Sequence, residues 1–236
     1  MANKADLKTL LETGAHFGHQ VRRWNPKMKP YIYGSEGGVH IFDLIKTQKA
    51  LEEALEILSK ASSEGKKILI VGTKKQIKEE VERIAKETET FYVSERWLGG
   101  TLTNFEQMQK TLRQLEQMKK DKEEGAYDDR TKKERLLIDR KIARMERFMG
   151  GLAGLTVFPD LIVIIDVNKE HGAAKEANMK DIETIGIVDS NSDPDTVDYP
   201  IPMNDDATKA LYYVLGLMGE AIMQGKKKTI KTKKKK

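Results

Sequence analysis

A chain of 236 residues, 39% hydrophobic and 33% charged, has enough apolar material for one folded core beneath an unusually charged surface. No apolar run reaches the roughly 18–20 residues of a membrane span, and the N-terminus lacks a signal peptide's apolar stretch, so a cytoplasmic location is expected. The absence of cysteine excludes disulfides, thiolate zinc sites and a cysteine nucleophile. The net charge of +5 is segregated: eight lysines in the last twelve residues leave 34 basic against 37 acidic residues elsewhere, while residues 181–206 hold eight acids and no Lys or Arg. Such segregation favours localised contact with a polyanion.

In chain order, Asn3 can cap a short helix running through Glu12, with Gly14 as its stop. HFGHQVRRWNPKMKPYIYG (16–34) follows, with two histidines, four basic residues, four aromatics and no acid; its prolines and glycines predict an ordered loop with a short extended piece. VHIFDL (39–44) reads as a strand and TQKALEEALEILSKASSEG as a helix. KKILIVGTK is a buried strand, followed by a helix over 76–87, and FYVSERW is a further strand entering a turn. After Gly151 the rhythm resumes: strand PDLIVIIDV, helix KEHGAAKEANMK, strand TIGIVDS and a terminal helix ending near Gly225. Strands lacking a polar face and alternating with helices predict an α/β fold, a Rossmann-like parallel sheet with helices on both faces. The lysine-rich residues 226–236 have too little apolar content to fold alone and are expected to be disordered.

Residues 103–149 break this rhythm. Phe105, Met108, Leu112 and Leu115, then Ile138, Ile142, Met145 and Met149, each trace a narrow apolar seam. Capping boxes are expected at Thr103 with Glu106 and at Thr131 with Glu134, and EEGAYDD between the runs is a turn. The segment therefore reads as an antiparallel coiled-coil hairpin inserted into a body made of residues 1–102 and 150–225, and its self-contained seam predicts a removable appendage.

Catalytic signals are weak. GTKKQ lacks the glycine spacing of a phosphate loop, although Lys74 and Lys75 at a helix entrance can meet a phosphate. Asp166 and Asp189 fall at strand ends, where α/β enzymes place acids, but no nucleophile or phosphate cradle accompanies them or Asp193. DSNSDPD has Pro194 where a calcium loop needs Gly, which excludes an EF-hand; its short polar side chains suit turns. No cofactor is required. A structural divalent metal ion held by His19, Asp189, Asp205 and Asp206 stays open, on ligand types alone.

Both tryptophans sit in similar company, RRWNPK and ERWLGGTLTN. Arg22, Arg23, Lys27 and Lys29, with Lys74, Lys75 and Arg96, are candidates to neutralise phosphates. Trp24 and Trp97 are candidates for packing or base stacking, and Thr101, Thr103 and Asn104 offer uncharged hydrogen-bonding groups. A protein-only adaptor leaves this basic segment unexplained.

GAHFGHQVRRWNPKMKPYIYG, ILIVGTKKQ, ERWLGGTLTN, FPDLIVIID and IGIVDSNSDPDTVDYPIPMNDDA, in this order, closely resemble the family of the second protein of the bacterial small ribosomal subunit, over roughly residues 5–225. The resemblance implies a Rossmann-like body with a protruding coiled-coil hairpin, bound to small-subunit ribosomal RNA on the solvent side between head and body. It also implies neighbouring ribosomal proteins as partners, including the large first protein of the subunit in some bacteria, and allows a metal in the acidic region. The lysine tail lies outside the shared blocks.

Overall fold

The computed structural model describes residues 5–233, and of residues 229–233 the helical backbone alone. Asn3 lies outside the described residues. Asp6 caps α1 (Leu7–Glu12), its carboxylate accepting from the Thr9 amide at 3.0 Å. The opening segment is more regular than its prolines suggest. It forms β1 (Phe17–Gln20), 3-10 turns at Val21–Arg23 and Pro26–Tyr31, then β2 (Ile32–Glu36) and β3 (Val39–Phe42). These strands make a separate antiparallel sheet in the order β1-β3-β2.

Asp43 then caps α2 (Leu44–Ser63), accepting from the Ile45 amide at 3.1 Å, so this helix begins earlier than its apolar periodicity indicates. The remaining elements are β4 (Ile68–Val71), α3 (Lys78–Glu87), β5 (Phe91–Val93), α4 (Phe105–Glu123), α5 (Lys132–Met149), β6 (Leu161–Ile164), α6 (His171–Met179), β7 (Glu183–Val188), β8 (Tyr199–Pro202) and α7 (Thr208–Lys233). Five strands form a wholly parallel sheet in the order β5-β4-β6-β7-β8. β8 was not anticipated. Its Pro200 and Pro202 suit a strand paired on one side only, because a proline has no amide to give a second neighbour.

The sheet is buried on both faces. Ile68, Ile70, Val163 and Ile185 point into a core shared with α2, α3 and α7, whereas Leu69, Val71, Ile162 and Ile164 enter a second core with α6 and the start of α4. This alternation explains why the strands read as continuous apolar runs. A Cβ at Gly225 would collide with the Ser59 carbonyl oxygen, so glycine allows α7 to close against α2. α7 continues through Lys233. Residues 226–233 thus extend a helix where disorder was expected: lysine is a good helix former, and positive charge complements a helix C-terminus. Residues 234–236 lie outside the described residues.

α4 and α5 run in opposite directions, as the ion pairs Lys119–Glu146 and Lys122–Asp139 require. Thr131 and Glu134 form the expected capping box, but Asn104 occupies the cap position of α4 and Thr103 turns elsewhere. Leu115 and Ile142 are buried within neither body core, whereas Met108 and Leu112 belong to the second core. The hairpin is therefore rooted in the body, and a cut at residue 103 would remove core side chains. Among the described residues, no helix is long and apolar enough to cross a membrane.

Candidate nucleic-acid interface and cation crevice

The basic opening segment is fastened to the loops at the carboxyl ends of β7 and β8. The Asn25 amide donates to the Ser190 carbonyl at 2.7 Å, His19 N–H to the Ser190 hydroxyl at 2.8 Å, and the Asn204 amide to the Ala15 carbonyl at 3.0 Å. Gly18 allows this approach: a Cβ there would lie 2.9 Å from Ser190 Oγ. The Asn25 side chain caps the second 3-10 turn by accepting from the Lys27 amide at 3.0 Å. Arg22, Arg23 and Lys29 consequently project from fixed backbone and are exposed, with Arg22 Nε donating to Gln20 at 2.9 Å. Lys27 differs. Its ammonium lies 2.8 Å from both Asp193 and Asp195, whose hydrogen bonds and charges raise its pKa, so its charge is already offset locally. Trp24 is half-buried, one side of its ring resting against His40 at a centroid distance of 5.2 Å.

Lys74 is a correction to the phosphate set. It is 8% exposed, and its ammonium donates to Asp205 Oδ1 at 2.7 Å, Asp206 Oδ1 at 2.8 Å and the Asp205 carbonyl at 2.5 Å, with Asp166 Oδ2 at 3.0 Å. These groups come from the ends of β4, β6 and β8, so Lys74 bolts three loops together. Burial disfavours its charge, but Asp205, Asp206 and Asp166 outweigh burial and hold it as an ammonium ion. Asp166 adopts the left-handed backbone region (φ 73°) and accepts from the Lys169 amide at 2.9 Å, a conformation that aims its other oxygen at Lys74.

His19 completes the cluster. Its Nδ1 lies 3.0 Å from Asp189 Oδ1 and its Nε2 3.7 Å from Asp206 Oδ2. The Asp189 hydrogen bond raises the imidazole pKa against a burial effect that lowers it. Asp189 is already engaged, its two oxygens also accepting the amides of Ser190 at 2.5 Å and Asp205 at 3.2 Å. The compatible ligand group is therefore His19, Asp205 and Asp206, whose donor atoms lie within 4.8 Å of one another, with Asp189 behind the imidazole rather than among the ligands. Four carboxylates, those of Asp166, Asp189, Asp205 and Asp206, face one ammonium, Lys74, and the His19 imidazole, so acids outnumber cations in the crevice. Burial, together with Asp189 and Asp166, accordingly pushes Asp205 up to about 7.

The second tryptophan motif is organised by a residue without a sequence signal. Glu176 on α6 is buried and accepts from Trp97 Nε1 at 3.1 Å, the amides of Gly100, Leu102 and Thr103 at 2.8–3.0 Å, and the Thr103 hydroxyl at 3.1 Å. Burial raises its pKa, but the three amides and the indole N–H outweigh this and leave it below the usual carboxylate value. Trp97 is thus buried, with its indole N–H committed to Glu176. Thr101 is buried, its hydroxyl donating to the Leu98 carbonyl at 2.6 Å. Arg96, Asn104 and Lys75 remain exposed.

The architecture defines the class: a doubly wound α/β protein carrying a helical hairpin between β5 and β6, with basic residues around an acid-lined crevice at the strands' carboxyl ends. The family model for ribosomal protein S2 matches residues 10–225. Relatives called small ribosomal subunit protein uS2 are similar over most of the chain. That of a Nitratiruptor species is 48% identical over 220 residues, 93% of this chain and 82% of the relative. That of Petrotoga mobilis is 45% identical, covering 96% and 78% respectively, and that of Flavobacterium johnsoniae is 44% identical, covering 95% and 89%. The chain belongs to the ribosomal protein S2 family, a family of structural proteins and not of enzymes.

Proposed function

We propose that this chain is a structural component of the small ribosomal subunit in the cytoplasm, seated between head and body on the solvent side. It binds ribosomal RNA there through Arg22, Arg23, Lys29, Lys75 and Arg96, with Trp24 and Asn104 alongside. The observation that carries this reading is the rigidity of the opening segment: Arg22 and Arg23 leave backbone sewn to Ser190 and Asn204, so little loop entropy is lost on meeting phosphates. Neighbouring small-subunit proteins, the large first protein among them, are the expected further partners. To test the reading, binding to small-subunit ribosomal RNA and to an unrelated RNA is measured for the intact chain and for R22A/R23A. The double variant should lose at least about tenfold in affinity for the ribosomal RNA, one charge-assisted contact's worth, and less for the unrelated one. An unchanged ratio of the two affinities would remove the opening segment from the interface.

The excess of carboxylates over cations in the crevice favours a second element, a structural divalent cation. His19, Asp205 and Asp206 would hold it, while Asp189 fixes the imidazole through Nδ1, as carboxylates do behind metal-bound histidines. Such a cation would balance charge and pin the opening segment to the β8–α7 loop. Calorimetric titration with zinc and magnesium should show one site per chain that H19A loses; equal heats for both proteins would discard it.

A further inference from the structure

The hairpin's charges are unevenly engaged. On α5, Glu134 is held in the capping box, Asp139 by Lys122 and Glu146 by Lys119, so each of the helix's acids is engaged internally. Not all of its cations are. Lys133, Arg140 and Arg144 are exposed and, among the described residues, have no carboxylate partner. Spacings of seven and eleven residues place all three within a roughly 40° arc along about 16 Å of helix, opposite the seam of Ile138, Ile142, Met145 and Met149. No acid falls on that arc. α4 presents no such face: Lys119, Lys120 and Lys122 are all paired, and its remaining cations, Lys110 and Arg113, share their arc of the helix with the exposed Glu106.

We infer that the outer face of α5 is a second RNA-binding surface, gripping backbone phosphates through Lys133, Arg140 and Arg144. The inference rests on the RNA reading above and extends it along the hairpin. Charge continuity selects the partner. One turn beyond Arg144, Arg147 pairs with Glu95 at 2.8 Å, and Arg96 of the candidate interface is the next residue along the chain. The same polyanion can therefore pass from Arg96 onto the outer face of α5. Guanidinium forks suit phosphate oxygens, and repeated like charge along one face suits a partner whose own charge repeats.

Ribosomal RNA binding is measured across a salt series for the intact chain, for K133A/R140A/R144A and for K49A/K209A, which removes exposed lysines from α2 and α7. Circular dichroism verifies that each variant is folded. The triple variant should flatten the plot of log affinity against log salt by about 2 to 3, at 0.7–0.9 per phosphate contact, while K49A/K209A leaves it unchanged. Equal slopes for the intact chain and the triple variant would overturn the inference while leaving the RNA reading intact. Loss of affinity for polyglutamate with no change toward RNA would assign the face to an acidic protein and overturn it too. An intact chain that does not bind ribosomal RNA at all would defeat both readings.

Discussion

Lys74 and the outer face of α5 use the same kind of charge in opposite ways. Lys74 is enclosed by Asp166, Asp205 and Asp206 and joins the ends of three parallel strands. Lys133, Arg140 and Arg144 share a surface from which the nearby acids have been drawn into cross-helix pairs and a cap. A cation's role is therefore set by where the neighbouring carboxylates are committed. The acids at the strand ends hold the fold together by consuming a positive charge; those of α5 are consumed themselves and leave positive charge outside.

The sharpest way to break this contrast is to remove the enclosed cation. Lys74→Ala leaves buried carboxylates without a counter-charge and should destabilise the protein by about 3–5 kcal/mol in urea unfolding. Adding Asp205→Asn should recover part of that loss, because one fewer buried anion then needs neutralising. A double-mutant cycle with no coupling between the two positions would show that Lys74 does not hold the crevice.

Glu176 sharpens the contrast from the other side, as a buried anion satisfied by neutral donors. Glu176→Gln keeps one acceptor but turns an amide group toward backbone N–H groups, at an expected cost of about 1.5–3 kcal/mol near neutral pH. The sign with pH follows from its depressed folded pKa. The stabilisation is present above the unfolded value of 4.5 and is lost as pH falls through the lower folded value. The stability gap between wild type and the glutamine variant, read from denaturation curves, should shrink below pH 4.5; a gap that stays constant into acid would show that the carboxylate's charge is not what holds the Trp97–Thr103 loop.

The same logic separates what the sequence revealed from what it concealed. The doubly buried strands β4, β6 and β7 were legible because alternate residues feed two cores, so their apolar runs are unbroken. β8 was not, since prolines signal turns until its place at a sheet edge is known, and neither were β1 and β2, short strands of irregular register that flank the anticipated β3. Asp166 and Asp189 could be placed at strand ends, but nothing in GTKKQ distinguishes an enclosed Lys74 from an exposed Lys75. Only the three-dimensional meeting of β4, β6 and β8 does so. Glu176 lies on a helix of unremarkable composition, and its donors sit more than seventy residues earlier in the chain.

The smallest expected effect is the most discriminating, because it runs against the usual sense of mutation. Arg140 and Arg144 stand four residues apart on one helix face, where like charges destabilise by a few tenths of a kcal/mol. Alanine is also a better helix former than arginine or lysine. If the outer face of α5 has no intramolecular role, K133A/R140A/R144A should be as stable as the intact chain, or more stable by about 0.5 kcal/mol, which raises the melting midpoint by roughly 1–2 °C in a chain of this size. Added salt should narrow that difference by screening the repulsion in the intact chain. A triple variant destabilised by more than about 1 kcal/mol would mean that these cations hold the fold as Lys74 does, and the contrast between the two regions would fail.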